Sequence, residues 1–178
     1  TMTITATGVS GSTVSSGSTT NDATLSLTFT ASGATNDFEA ADITVSNGAI
    51  SNFNATNNPI FTATFTPSGQ GACTIQVAAD KFTVGGLTNL ATDIFNWIHD
   101  DVGPTMTIGA DAIITVSGAD FTRSVTNGGK SSSDTYNIKF TSSETTTNFI
   151  ETDINLTNGS ITNFTGSESG TIYTATFT

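Results

Sequence analysis

Apolar residues fall at every second position in several short stretches of the chain. In the stretch 25–30 the apolar residues Leu25, Leu27 and Phe29 alternate with polar side chains, and the stretch 136–141 repeats this alternation. A period of two places one face of a β-strand against a core and the other face in solvent. Gly, Ser, Thr and Asn fill most of the connecting stretches, which is typical of turns. The pattern predicts an all-β protein.

Eight such stretches occur within the first hundred residues. They cover residues 1–6, 12–16, 23–30, 41–46, 49–55, 60–66, 72–78 and 94–99. This number of short strands at this spacing predicts a β-sandwich. Asn47-Gly48 and Asn158-Gly159 each separate two alternating runs, and both residue types tolerate the positive φ of a type I′ turn. Each dipeptide therefore predicts a β-hairpin.

One pattern of about a hundred residues occurs twice, which predicts tandem domains. Thr1-Met2-Thr3-Ile4 recurs as Thr105-Met106-Thr107-Ile108, and the segment 42–53 is matched by 153–164. The second offset is larger by about seven residues, and insertions of this kind lie in loops. We predict a complete first domain over residues 1–101, a short linker over 102–104 and a second domain over 105–178.

The second copy is expected to be truncated, because it contains no counterparts of the strands at 72–78 and 94–99. Two explanations are open at this point. The sequence can be a fragment cut from a longer chain, or a neighbouring chain can donate the missing strands, as in filaments built by strand exchange.

The charge of the chain limits the classes of molecule that it is expected to bind. The chain of 178 residues carries 15 acidic residues and a net charge of −11, and its four basic residues are Lys81, Arg123, Lys130 and Lys139. Such a surface repels phosphate backbones and anionic membranes, so nucleic-acid binding is not expected. No apolar run is long enough for a membrane span and no signal peptide is recognisable, so membrane insertion is not expected either.

No residue pattern indicates catalysis, and no catalytic residue is predicted. The only cysteine, Cys73, alternates with Ile75 and Val77, which predicts a buried thiol without a disulfide. The only histidine, His99, is expected to be an exposed residue at a strand end, and Trp97 is expected to pack in the core. A zinc site or a catalytic triad would require further histidines or a paired base.

Aspartates near the linker suggest a metal site. Asp100 and Asp101 stand at the predicted domain boundary, whereas Asp42 and Asp153 each open a strand after a loop and could contribute ligands in their own domains. Clustered carboxylates are the ligands that hard cations prefer, so we hypothesise a joint stiffened by calcium. The alternative is that these residues are solvated acids or turn-forming aspartates.

Four asparagines satisfy the Asn-X-Ser/Thr pattern of N-glycosylation. They are Asn54, Asn155, Asn158 and Asn163. The alternative reading is coincidence, because a chain so rich in Asn and Thr produces the pattern by chance.

The chain as a whole resembles the bacterial Ig-like repeat domains of large surface proteins and giant adhesins. The resemblance is carried by Thr-Met-Thr-Ile at each start, Thr141-Ser142-Ser143-Glu144, Asn148-Phe149, Asp153-Ile154, the run 173–178, and Phe95-Asn96-Trp97. The first copy departs from it with Gly33 in place of Glu144. The resemblance implies tandem immunoglobulin-like β-sandwich domains, displayed outside the cell or on its surface, without enzymatic activity.

The resemblance also implies a structural repeat that forms a stalk or filament. Its partners would be neighbouring Ig-like repeats of the same chain or identical chains. The alternative is a binding module that recognises a surface glycan or protein through loops at the domain ends. The insertion at 119–130 is the preferred loop for that role, since it holds Arg123 and Lys130.

Overall fold

The computed structural model describes residues 1–167 and 169–178, which form two compact units, Thr1–Val102 and Gly103–Thr178. Strands dominate both units, so the all-β prediction is confirmed. The helical elements among the described residues are two 3-10 turns, Ala40–Asp42 and Glu151–Asp153. Within the residues that the structure describes, no helix is both long enough and apolar enough to cross a membrane.

Unit 1 contains eleven strands in three sheets. They are β1 (Met2–Thr7), β2 (Thr13–Val14), β3 (Ser18–Thr20), β4 (Leu25–Ala31), β5 (Ile43–Ser46), β6 (Gly48–Asn57), β7 (Ile60–Pro67), β8 (Gly71–Val77), β9 (Thr83–Val84), β10 (Leu87–Thr88) and β11 (Phe95–His99). One sheet has the order β2-β1-β4-β7-β6, the second has the order β3-β11-β8-β5, and β9 and β10 form a small hairpin.

The core of unit 1 lies between the two larger sheets. Leu27 and Phe29 of β4 are almost fully buried, as their alternation predicts. Across the core, the rings of Phe65 in β7 and Trp97 in β11 meet edge to face with centroids 6.0 Å apart. Trp97 is fully buried, and its Nε1 donates a hydrogen bond of 3.0 Å to Thr20 Oγ1. Strands from both sheets therefore share one core, as a sandwich requires.

Unit 2 contains one five-stranded sheet among its described residues. Its strands are β12 (Met106–Val116), β13 (Ala119–Val125), β14 (Tyr136–Ser142), β15 (Ile161–Gly166) and β16 (Ile172–Phe177). Their order is β13-β12-β14-β16-β15. This order matches the order β2-β1-β4-β7-β6 of unit 1, with each strand in the place of its counterpart.

Residues at equivalent positions of the two units differ in their exposure to solvent. Met2 is 6% exposed, whereas its counterpart Met106 is 36% exposed, and Ile4 is half-buried where Ile108 is 69% exposed. In unit 1 the sheet with β8 and β11 covers this face. The sequence of unit 2 holds no counterparts of those two strands, and residues 154–156 form no strand because the matching β5 uses β8 as its partner.

The two predicted Asn-Gly hairpins are wrong. β5 pairs with β8 and β6 pairs with β7, so Asn47-Gly48 lies at a corner where the chain passes from one sheet to the other. Asn158-Gly159 precedes β15, which pairs with β16 and not with the residues before the dipeptide. Asn47 and Asn158 have φ of 50° and 59°, so the positive φ is confirmed for the asparagine of each pair, but not for the glycine, where a type I′ turn also requires it. In unit 1 it serves the bend where the chain passes between the sheets and not a hairpin turn.

Glycine at these corners is required by close packing. A Cβ on Gly48 would lie 2.3 Å from Cζ of Phe65, and a Cβ on Gly159 would lie 2.2 Å from Cζ of Phe177. Each aromatic ring rests directly on a glycine backbone. Any larger residue would have to displace a ring of the core.

We predict that Gly48→Ala lowers the free energy of unfolding of unit 1 by about 1–3 kcal/mol, the usual cost of overpacking a core. Urea denaturation followed by the fluorescence of Trp97, the only tryptophan, reports on unit 1. Gly69→Ala is the matched control, because a Cβ there meets nothing within 4 Å. Equal losses in the two variants would contradict this account of the corner.

Asp37 joins the loop after β4 to the β9–β10 hairpin. Its carboxylate accepts hydrogen bonds from Thr35 Oγ1 at 2.5 Å, from Thr83 N at 3.1 Å and from Thr83 Oγ1 at 2.9 Å. These donors, the Thr35 hydroxyl first and then the Thr83 amide, lower the pKa of Asp37 from 3.8 to about 2. The corresponding residue of unit 2 is Asn148.

We predict that Asp37 makes unit 1 acid-sensitive. Because the folded pKa is depressed, the stabilisation is complete above pH 3.8 and is lost as the pH falls toward about 2. Asp37→Asn should lower stability at neutral pH and flatten the decline of stability over that pH window. Trp97 fluorescence in urea at several pH values measures both effects. The exposed Asp93→Asn is the control, and a decline as steep in Asp37→Asn as in the unsubstituted protein would refute the role of Asp37.

Candidate functional site

The two aspartates at the end of unit 1 each have a hydrogen-bond partner within that unit. Asp100 Oδ1 accepts from Val102 N at 3.3 Å, and Asp101 Oδ1 accepts from Gln70 Nε2. Both carboxylates thus accept hydrogen bonds within unit 1, and both residues lie at the predicted domain boundary.

The other two predicted calcium ligands occupy equivalent places in the two units. Asp42 Oδ2 accepts from Glu39 N at 3.0 Å, and Asp153 Oδ2 accepts from Ile150 N at 3.0 Å. Each carboxylate closes a 3-10 turn in front of the next segment. No group of three His, Cys, Asp or Glu side chains among the described residues could hold a metal ion. Calcium binding by Asp100, Asp101, Asp42 and Asp153 stays a prediction.

All four asparagines of the glycosylation pattern are exposed. Asn54 Oδ1 accepts hydrogen bonds from N and Oγ1 of Thr56, at 2.8 and 2.7 Å, which forms a local turn. Asn163 adopts a positive φ of 55° within β15. Exposure is what a glycan would need, and glycosylation of Asn54, Asn155, Asn158 and Asn163 stays a prediction.

The only cysteine and the only histidine of the chain are both buried. Cys73 is 1% exposed, and burial raises the pKa of its thiol. His99 was expected at an exposed strand end, but it is 7% exposed and its Nδ1 lies 3.1 Å from Gly69 O. The expectation failed because β11 alternates, so that Phe95, Trp97 and His99 all face inward.

The insertion of unit 2 supplies β13, which forms a long hairpin with β12 that was not predicted from the sequence. β12 and β13 pair from Ala110 opposite Val125 to Val116 opposite Ala119. The turn residues Ser117 and Gly118 both have positive φ, 53° and 81°, as a type I′ turn requires. The available signal was a Ser-Gly dipeptide between two alternating runs.

The chain returns beside this hairpin through residues 126–135. Ser133 Oγ donates to Ile113 O at 2.6 Å, and Ile113 N donates to Thr135 O at 2.9 Å. A tight turn, with Gly129 N bonded to Thr126 O at 2.8 Å, precedes this segment. The return segment is thereby held against β12.

An open groove of about 880 Å³ lies between the hairpin and the return segment. Arg123 and Lys130, two of the four basic residues, both line it. Asp120 and Asp134 line it as well, together with the hydroxyls of Ser131, Ser132 and Ser133. The sequence placed both cations in one insertion, and the structure brings them to one cavity.

Comparison with known families decides what kind of domain each unit is. A family model described as a bacterial Ig-like domain matches residues 5–96 and again residues 100–178. The chain belongs to the bacterial Ig-like domain family. The predictions of tandem Ig-like β-sandwich domains and of the family itself are thereby confirmed. No curated protein and no solved structure gave a significant match.

Membership in the bacterial Ig-like family bears on activity and on location. The fold family is non-catalytic, which agrees with the burial of Cys73 and His99. Bacterial Ig-like domains are common in surface proteins and act as structural or adhesion-type repeats.

The calcium hypothesis predicts that added calcium raises the melting temperature of the metal-free protein, because an ion that binds only the folded state stabilises that state. It also predicts slower independent motion of the two units, measured by NMR relaxation. Asp100→Asn combined with Asp101→Asn should abolish both effects, whereas Asp80→Asn should not. Unchanged melting and relaxation on addition of calcium would remove the hypothesis.

Proposed function

We propose that this chain is a structural repeat segment of an extracellular surface protein, in which bacterial Ig-like domains follow one another as a stalk or filament. The observation that supports it is that two successive units of one chain are built on the same internal packing. Repeats of this kind let a protein vary its reach by varying the number of its modules.

The shared packing extends to an aromatic cluster. The cluster consists of Phe38, Phe53 and Phe61 in unit 1 and of Phe149, Phe164 and Tyr173 in unit 2. The first and third rings meet edge to face at 5.0 Å in both units, with interplanar angles of 78° and 79°. The second and third rings stack at 13° in both, with centroids 6.1 and 5.9 Å apart. Such agreement indicates one module used twice.

The acidic surface supports the same role. With a net charge of −11 the chain resists close association of like surfaces and does not attract nucleic acid. We infer that the segment is not an enzyme, since the one cysteine and the one histidine are buried in unit 1. Its contribution is then reach and stiffness, with each domain adding about 35 Å from strands of about seven residues and their loops.

We predict that small-angle X-ray scattering of the chain gives two maxima in the pair-distance distribution, the second reflecting unit centres about 35 Å apart. A variant with a flexible glycine-serine insertion between Asp101 and Val102 should broaden the second maximum. A single maximum of one compact particle would contradict the spacer proposal.

The location is tested on the cells that make the protein. Antibodies against this chain should label intact cells as strongly as permeabilised ones. Labelling that requires permeabilisation would overturn the surface assignment, whatever the scattering result.

A further inference from the structure

The groove of unit 2 brings together two of the four basic side chains of the protein. Arg123 and Lys130 line this groove, whereas the whole chain has four basic and 15 acidic residues. We propose that the groove between the β12–β13 hairpin and residues 130–135 binds saccharides that carry a carboxylate. This inference goes beyond the spacer role and does not depend on it.

The groove is supported by strand pairing on one side and by hydrogen bonds to Ile113 on the other. Arg123 lies within β13 directly opposite Ala112, and Asp120 lies opposite Thr115, whose Oγ1 donates to Asp120 Oδ1 at 2.6 Å. On the other wall, the bond from Ser133 Oγ to Ile113 O fixes the segment that follows Lys130. Residues held by strand pairing can keep a binding geometry better than residues of a free loop.

The lining offers the groups that a sugar acid would use. The guanidinium of Arg123 presents a planar fork that matches a carboxylate with two hydrogen bonds, and Lys130 adds a second positive charge. Asp120 and Asp134 can accept hydrogen bonds from sugar hydroxyls, and the serine hydroxyls can both donate and accept. Ile114, which is 39% exposed, offers an apolar patch for the C–H face of a pyranose ring.

Charge balance favours a ligand with a single carboxylate over one with several. Two cations and two carboxylates line the groove, so it carries no net charge, while the chain as a whole carries −11. An anion is therefore repelled less here than elsewhere on the surface. A uronic or sialic acid brings one carboxylate with several hydroxyl donors. An acidic peptide would bring several carboxylates next to Asp120 and Asp134.

The test is a ¹H–¹⁵N NMR titration of the full 178-residue chain. The probes are glucuronic acid and N-acetylneuraminic acid, with neutral glucose as the matched control and polyglutamate as the acidic peptide. We expect shift changes confined to residues 113–135 with both sugar acids, weakened by salt. Glucose should bind at least about tenfold more weakly, which corresponds to the loss of about one charge-assisted contact.

Variants decide whether the two cations carry the binding. Arg123→Ala and Lys130→Ala should each weaken binding by about tenfold or more, and Arg123→Lys should restore only part of it because lysine lacks the fork. Lys81→Ala in unit 1 should leave binding unchanged. All substituted residues are exposed, so the spectra should otherwise remain those of the folded protein.

Three results would overturn the proposal. They are the absence of shift changes with either sugar acid, an equal response to glucose, and sugar-acid binding that survives Arg123→Ala together with Lys130→Ala. Shift changes with polyglutamate alone would identify the groove as a protein-binding surface and would equally reject a saccharide ligand.

Discussion

Face-to-face packing of two sheets is the interaction on which the rest of unit 1 depends. Trp97 of β11 and Val77 of β8 close over Leu27 and Phe65 of the opposite sheet, and all four are at most 1% exposed. Burial of each large apolar side chain stabilises the fold by roughly 1.5–3 kcal/mol. The same sheet also decides which segments become strands, because its order is β3-β11-β8-β5 and the outer strands pair only with β11 and β8. Where those two are absent from the sequence, in unit 2, residues 154–156 run without a strand partner.

Similar structural demands are met by different residues in the two units. In unit 1 the backbone of buried Thr35 is satisfied by the side chain of Asn58, with Oδ1 accepting from Thr35 N at 3.1 Å and Nδ2 donating to Thr35 O at 2.5 Å. In unit 2, N of the counterpart Thr146 donates to Gly170 O at 2.8 Å, and the hydroxyl of Tyr173 donates to Thr146 O at 2.8 Å. A buried peptide group must be paired, but its partner can come from any nearby side chain or backbone. Unit 1 has a phenylalanine at the position of Tyr173. The hydroxyl group of the tyrosine supplies the hydrogen bond that Asn58 supplies in unit 1.

The alternation of apolar residues predicted which face of a strand is buried, but not which strand lies beside it. Leu25, Leu27 and Phe29 are all inward, as expected. The predicted strand 12–16 is shortened to β2, and the chain then continues into the other sheet as β3, a strand that was not predicted. Asn47-Gly48 misled for a related reason, because a positive φ is required both in a hairpin turn and at a corner between sheets. A hairpin turn and a corner between sheets differ only in which distant strands pair, and the local sequence does not determine that pairing.

The groove shows the same limit at the level of a site. Sequence indicated an insertion with Arg123 and Lys130, but spacing alone placed them on one loop. They lie instead on β13 and on the return segment, and the hydrogen bond between Ser133 and Ile113, twenty positions apart, holds the return segment against β12, the strand that pairs with β13. The inward side chains of the sheet are constrained by the fold, since each must fit the packing of the core. The hairpin beyond that core has no such constraint, so its charges can be selected for recognition, and an addition to one repeat can specialise it while the sheet order of the module stays the same.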